Sequence, residues 1–366
     1  MGRDQQRRLA LALAGALLLW FATWLALPLL FDPEIPGDNL EQLDWAHHPA
    51  WGYAKHPPFP TWILWCFQQM FAPTLSLTYF LGALQVMFLM AMAWQLARES
   101  LDGITPWIAA LMVACITYYT SRMHYYNHNT ALMTAYAASL LALWRAVTTN
   151  QMRWWGLLGV AWAVGMLSKY QMALLIGCNA LFLWDVHWRK AAHVLRGFAL
   201  AFMVAALLLS PHVIWLVRNH FPSFGYASVT LAAHLGFIDR LRNVLHFVLH
   251  QAGRVAPLLA LVAILAWRMR ESDPQAPEPG VSSTLSLSLR FWTIHAWGPL
   301  VGISLIGIVF GAAVETHWGM ASLWTVPFWI LCTHRGRRWA SAPPSFIGWT
   351  TVAIQSLMIA GYLAGS

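Results

Sequence analysis

Between residues 38 and 62 the chain sets three carboxylates, Asp38, Glu41 and Asp44, ahead of the segment GYAKHPPFPTW, which carries Lys55 and His56. A positioned carboxylate takes a proton from an attacking hydroxyl. Fixed cations stabilise negative charge. The segment therefore has the residue types for an anionic ligand beside a general base. Other polar groups recur later: Arg122, then YYNHN with Tyr125, Tyr126, Asn127, His128 and Asn129, then Lys169-Tyr170, then Pro211-His212 with Arg218, then Glu315 and His317. His47, His48 and His56 lie beside the carboxylates and raise the possibility of a divalent cation, although their spacing matches no ligand pattern.

These groups are set in an apolar chain. Of 366 residues, 59% are hydrophobic and only 10% charged, against about 25% charged in a soluble domain. The 23 Trp and 10 Tyr suit the aromatic belts of membrane interfaces. A helix needs about 20 apolar residues to cross the hydrocarbon core. By that measure we read about eleven spans, near 9–30, 75–97, 104–121, 130–147, 155–169, 171–188, 196–217, 246–267, 291–313, 318–333 and 345–364. The expected fold is an all-α polytopic membrane protein, one domain over 1–366, with a helical first outer loop at 31–59. Residues 271–289 (ESDPQAPEPGVSSTLSLSL) read as a flexible cytoplasmic linker. The four cysteines form no metal or disulfide pattern and read as buried thiols.

Basic residues orient the spans. With the N-terminus inside, fifteen of the 22 Lys and Arg residues fall in inner loops, as the positive-inside rule requires. They are spread over many loops, which excludes a nucleic-acid stripe. In this topology the polar groups named above all fall on the outer face. Intramembrane and membrane-edge ionisable groups are costly and mark function. Within the outer loop, Asp38 is expected to cap a helix whose apolar pattern begins at Leu40 and Leu43, with Glu41 completing a capping box. Pro57-Pro58 is expected to hold Lys55 and His56 in an extended stretch. Asn127, His128 and Asn129 can hydrogen-bond a polar ligand, or Asn129 can cap the following span. Trp51, Tyr53, Tyr125, Tyr126 and Tyr170 can stack on a ligand, line a lipid groove or anchor the interface.

The outer loop resembles the first outer loop of C-type, lipid-dependent membrane glycosyltransferases of glycosyltransferase family 39, which include protein O-mannosyltransferases and aminoarabinose transferases. The resemblance rests on Asp38-Asn39, Asp44-Trp45 and Gly52-Tyr53-Ala54-Lys55-His56-Pro57-Pro58. Leu167-Ser168-Lys169-Tyr170, Ser210-Pro211-His212 with Trp215 and Asn219, and His317-Trp318 extend it. One departure stands out: the family's Asp-Glu pair is Asp-Asn here. The resemblance implies an inverting transfer from a polyprenyl-phosphate sugar to an acceptor on the periplasmic face of the inner membrane, whether lipid A, envelope glycan or protein. Asp38 would be the general base. Lys55, His56, Lys169, Arg218 and Arg122 would hold the donor phosphate. Glu41, Asp44, Tyr53, Asn127, His128, Asn129, Tyr170 and His317 would hold sugar or acceptor. Two other functions fit a polytopic chain: a transporter or flippase for polyprenyl-linked sugars, and a non-catalytic lipid-binding subunit. A transporter calls for polar groups near the midplane and repeated halves, and the sequence displays neither clearly.

Overall fold

The computed structural model describes residues 3–32, 35–187, 191–231, 236–269, 283–333, 336, 339 and 342–365. Fifteen helices run along them: α1 Arg3–Phe31, α2 Gly37–Ala46, α3 Phe59–Gln68, α4 Leu75–Ser100, α5 Thr105–Ala114, α6 His128–Thr149, α7 Met152–Ser168, α8 Met172–His187, α9 Ala191–Arg218, α10 Pro222–Leu231, α11 Phe237–Arg254, α12 Ala256–Arg268, α13 Ser283–Phe310, α14 Val326–Cys332 and α15 Pro344–Gly365. Short 3-10 turns precede α6, at Thr117–Tyr119, and α14, at Thr316–Ala321 and Leu323–Thr325.

Each of the eleven expected spans carries helix, but they are not equal. Six helices, α1, α4, α6, α9, α13 and α15, are long and apolar enough to cross a membrane. The expected span 246–267 is broken: α11 and α12 meet at a 58° bend around Val255. The helices α5, α8 and α14 are short apolar pieces. The short helices α3 and α10 have no counterpart among the expected spans, because neither is long enough to register as one. Most of 271–289 lies outside the described residues, but 283–289 already belongs to α13. Three of the cysteines are buried, while Cys66 on α3 is exposed.

Apolar surface gains little by moving from lipid tails to another helix, so packing in a membrane depends on close backbone approach. Small residues provide it. A Cβ on Gly159 of α7 would collide with the Ala201 carbonyl of α9. A Cβ on Gly82 of α4 would sit 2.6 Å from the Tyr125 carbonyl oxygen and 2.8 Å from that of Met123. The interior is rich in large aromatics: Trp292 stacks on Phe328 with centroids 4.3 Å apart, and Trp324 closes edge-on against both. One polar group buried at depth, His295, finds partners for both ring nitrogens, as hydrocarbon favours. The His295 ring bonds the Phe291 carbonyl through Nδ1 and Asn179 Oδ1 through Nε2, at 2.7 and 3.0 Å.

One end of the bundle gathers the C-terminal ends of α1, α7 and α9, the N-terminal ends of α4 and α6, and the turn at Thr316–Ala321. Tyr362, near the end of α15, donates to Asp32 just beyond α1. The first and last helices therefore end on the same face.

Gly82 lets α4 lie against the loop that leads into α6. We expect Gly82→Ala to cost about 1–3 kcal/mol, because two backbone carbonyls must retreat. Thermal unfolding of the purified chain checks this, with Gly348→Ala as control, since a Cβ there meets nothing within 4 Å.

Candidate active site

The site is built from the outer loop downward. Helix α2 buries Asn39, Gln42 and Ala46, while Leu40 is 48% exposed. The apolar pattern expected from Leu40 is thus not the buried face. Polar residues take it because they have partners. Asn39 donates through Nδ2 to Thr78 Oγ1 at 2.9 Å and to the His124 carbonyl at 3.0 Å, and accepts from the Tyr126 N–H at 3.0 Å. Gln42 accepts from Thr61 of α3 at 2.9 Å. The residue that departs from the family pair, Asn39, is therefore a clamp joining α2, α4 and the loop before α6. A carboxylate cannot donate to the His124 carbonyl.

Asp38 does not cap α2. The cap position is Pro36, with no side-chain bond, and Asp38 lies in the first turn. Its carboxylate instead accepts from Asn127 Nδ2 at 2.8 Å. Asn127 is the N-cap of α6: its Oδ1 accepts from the N–H groups of Asn129 and Thr130 at 2.8 and 3.1 Å, and Thr130 Oγ1 accepts from the Asn127 N–H at 3.1 Å. One amide thus ends a helix with its oxygen and aims its nitrogen at Asp38. The residue that caps this helix is Asn127, not Asn129. Asn129 is left to accept from Lys169 Nζ at 2.7 Å.

The cations divide into two kinds. Lys55 lies between both oxygens of Glu41, at 3.0 and 3.1 Å. Burial works against its charge, but the bond and charge of Glu41 raise its pKa overall. Lys169 makes no ion pair among the described residues, and its bonded partner is a neutral amide. Burial pushes its pKa down to about 8, against the opposing pull of Asp38 and Glu315. Its ring neighbour is Trp318, 5.8 Å from Nζ. Arg122 stands over the Tyr125 ring at 5.2 Å. Arg218 is exposed at the end of α9 and makes no ion pair among the described residues.

The imidazoles are not cations here. Burial, followed by the charges of Lys169 and Lys55, lowers His56 to about 3. Burial, then Lys169, Arg122 and Lys55, lowers His317 to about 3. His56 therefore offers a neutral ring, 4.1 Å from that of His128. His128 Nε2 lies 3.2 Å from the Pro57 carbonyl, where a ring N–H donates and ties α6 to the proline turn. That turn is closed rather than extended: the Tyr53 N–H bonds the His56 carbonyl at 3.1 Å. Pro58 and Pro60 then open α3.

The remaining expected residues split between loop and solvent. The Tyr53 ring stacks on Trp45 at 4.5 Å, and its hydroxyl is engaged by the Trp45 and His48 carbonyls and the Ala50 N–H. Asp44 is exposed on α2 with no side-chain partner among the described residues. Tyr170 bonds His212 Nε2 at 2.9 Å, while His212 Nδ1 reaches the Trp51 carbonyl at 2.6 Å. A carbonyl only accepts, so Nδ1 carries the proton and Nε2 accepts from the Tyr170 hydroxyl. His212 was visible only as part of Ser210-Pro211-His212. Pro211 inside α9 removes the bond to the Leu207 carbonyl, and Ser210 Oγ fills it at 2.7 Å. The Trp215 ring lies where a Cβ of Gly52 would be, so the glycine of Gly52-Tyr53 seats α9 against the loop. Among the described residues, no three His, Cys, Asp or Glu side chains gather to hold a metal ion.

An apolar groove of about 560 Å³ runs between α7, α8 and α9, lined by Trp162, Met166, Ile176, Phe202, Leu209 and Ile214 among others. Its upper end, at Met166, Ala173 and Ser210, is within three residues of Lys169, Tyr170 and His212.

Residues 55–215 match the family model for dolichyl-phosphate-mannose-protein mannosyltransferase. The matched stretch is under half of the chain; with the fold, it makes the chain similar to C-type integral-membrane glycosyltransferases of the family 39 kind. Among particular proteins, the chain is 29% identical over 218 residues to the lipopolysaccharide core galacturonosyltransferase RgtA of Rhizobium johnstonii, covering 56% of this chain and 42% of that protein. It shares its fold with ArnT from Cupriavidus metallidurans. Bound to undecaprenyl phosphate, that structure matches at a TM-score of 0.66 with 15% identity, over 97% of this chain and 64% of that one. In the apo state the TM-score is again 0.66, with 16% identity over 96% of this chain and 63% of that one. The chain thus aligns with less than half of RgtA and just under two thirds of ArnT.

Two outcomes follow from this geometry under the transfer function proposed below. Lys169 is mostly charged at pH 7 and mostly neutral at pH 9, so affinity for a phosphate-bearing lipid should fall as pH rises through about 8. Lys169→Arg should flatten that fall, because guanidinium keeps its proton; a fall that persists in the variant assigns the titration to another group. Asn127→Asp keeps a cap oxygen for α6 but sets a carboxylate against Asp38. Transfer should drop roughly tenfold or more while helicity by circular dichroism is unchanged.

Proposed function

We propose that this chain transfers one sugar from a polyprenyl-phosphate donor to a hydroxyl of a lipid, glycan or protein acceptor on the periplasmic face of the inner membrane. The observation that carries the reading is the convergence of a held carboxylate, Asp38, with an ammonium that makes no ion pair among the described residues, Lys169, at the mouth of an apolar groove. The likeness to a fold that binds undecaprenyl phosphate supports it.

In this scheme the prenyl tail lies in the groove between α7, α8 and α9, and the phosphate meets Lys169. Arg122 lies farther round the same face, and its charge is felt at His317. Lys55 contributes less net charge, because Glu41 already balances it. The acceptor oxygen attacks the anomeric carbon as Asp38 takes its proton, and the bond from that carbon to the phosphate oxygen breaks. The prenyl phosphate departs with the electron pair, and Lys169 stabilises its charge. One base and direct displacement invert the anomeric centre. Neutral His56 and His317 supply hydrogen bonds to sugar hydroxyls without competing for the phosphate. Asn127 keeps the Asp38 carboxylate aimed.

The test compares lipid extracts and envelope glycans by mass spectrometry from strains with wild type, deletion or Asp38→Asn at matched membrane levels. We expect the deletion and Asp38→Asn to lose the same sugar from an acceptor while its prenyl phosphosugar accumulates. The expected rate loss for Asp38→Asn is about 10²–10⁴-fold. If the deletion removes the sugar but Asp38→Asn retains it, Asp38 is not the base. If nothing covalent changes while a lipid-linked sugar shifts sides, the chain is a transporter.

A further inference from the structure

At the opposite end of the bundle, the last turns of α4 and α6 and the first turn of α7 enclose a second cavity of about 410 Å³. It is lined by Glu99, Trp144, Arg145, Thr148, Arg153 and Trp154 among others. The 22 residues of α6 separate it from the Asp38 site, a rise of about 33 Å. It plays no part in the chemistry proposed above.

Its charge is unevenly used. Arg145 binds Glu99 through Nε, at 3.0 and 3.2 Å, and through Nη2, at 2.6 Å, so the only carboxylate among the described residues lining the cavity is taken. Arg153 has no acid partner among the described residues and is exposed. Both guanidiniums lie against the Trp154 ring, 4.6 and 5.2 Å from its centroid. The Trp154 indole N–H is buried without a hydrogen-bond partner. The first turn of α7 has no side-chain cap, so its free N–H groups add partial positive charge. Among the described residues, the cavity therefore presents the Arg153 guanidinium, the Trp154 ring and a helix N-terminus, with no free carboxylate for an ammonium.

The same helix shows what carries the matching anion. Leu157 and Val160, four and seven residues after Arg153, share its face and are 49% and 39% exposed. An apolar stripe thus runs from Arg153 toward the bilayer centre. We propose that this cavity binds one anionic phospholipid, its phosphodiester at Arg153 and Trp154 and an acyl chain along Leu157 and Val160. Basic pockets between transmembrane helices bind anionic headgroups in this way.

The test is native mass spectrometry of the delipidated full-length chain in detergent, titrated with phosphatidylglycerol or with phosphatidylethanolamine of the same acyl chains. We expect one phosphatidylglycerol to bind at least about tenfold more tightly than phosphatidylethanolamine, a gap of about 1.4 kcal/mol. Arg153→Gln should erase most of that gap, and Arg153→Gln with Trp154→Phe all of it. Arg98→Gln, at an exposed arginine on the same end, should leave it unchanged. The single variant alters an exposed side chain, so it carries the test even if the double variant fails to fold. Equal binding of the two lipids, or equal retention of phosphatidylglycerol by Arg153→Gln and wild type, overturns the proposal. Displacement of the lipid by millimolar inorganic phosphate also overturns it, since the ligand would then be a soluble anion.

Discussion

The side-chain amide of Asn127 is the interaction on which the rest of the site depends. Its oxygen takes the free N–H groups at the start of α6, and its nitrogen takes a carboxylate oxygen of Asp38. The first residues of α6, His128, Asn129 and Thr130, are buried, so their N–H groups need partners within the protein. That requirement fixes the Asn127 rotamer, and the fixed rotamer places the donor for Asp38. A structural need of the span thus orients the proposed base. Asn39 acts from the other side, holding α2 against the Thr78 hydroxyl and the backbone at His124 and Tyr126. Two neutral amides, not an ion pair, set the position of the acid.

The distribution of charge follows the same logic. A buried charge is costly unless paired. Lys55 meets that cost with Glu41. Lys169 has only an amide and the more distant pull of Asp38 and Glu315, and its pKa falls accordingly. A cation held this way keeps its charge available to an arriving phosphate, whereas a salt-bridged one must first give up its partner. The neutral imidazoles of His56 and His317 are the counterpart: burial, and then positive neighbours, keep the proton off.

Backbone geometry brings the two halves of the site together. Gly52 makes room for the Trp215 ring, and Pro211 leaves a carbonyl that Ser210 satisfies, so the end of α9 can present His212 to Trp51 and Tyr170. The groove between α7, α8 and α9 then ends beside Lys169. The far cavity at Arg153 is built from the other ends of α6 and α7.

Much of this was legible in the sequence. Hydrophobic length and the scarcity of charge determined an all-helical membrane chain, because only helices satisfy their backbone within one apolar segment. The expected gathering of Asp38, Lys169 and the YYNHN stretch at one end of the bundle follows from where polar residues interrupt apolar runs. The sequence did not determine which polar residue does which task. Asp38 had the spacing of a cap, Asn129 stood where a cap was expected, and Leu40 looked like the buried face of α2. In each case the outcome turned on a partner far along the chain: Asn127 for Asp38, Lys169 for Asn129, Thr78 and His124 for Asn39. Two expected spans, 104–121 and 318–333, are only partly α-helix and are completed by 3-10 turns, since α5 and α14 are buttressed by neighbours and need not be long. Local propensity and apolar length are properties of a segment and can be read from it. The pairing of a buried amide or ammonium is a property of two segments, and only the tertiary fold brings them within hydrogen-bond reach.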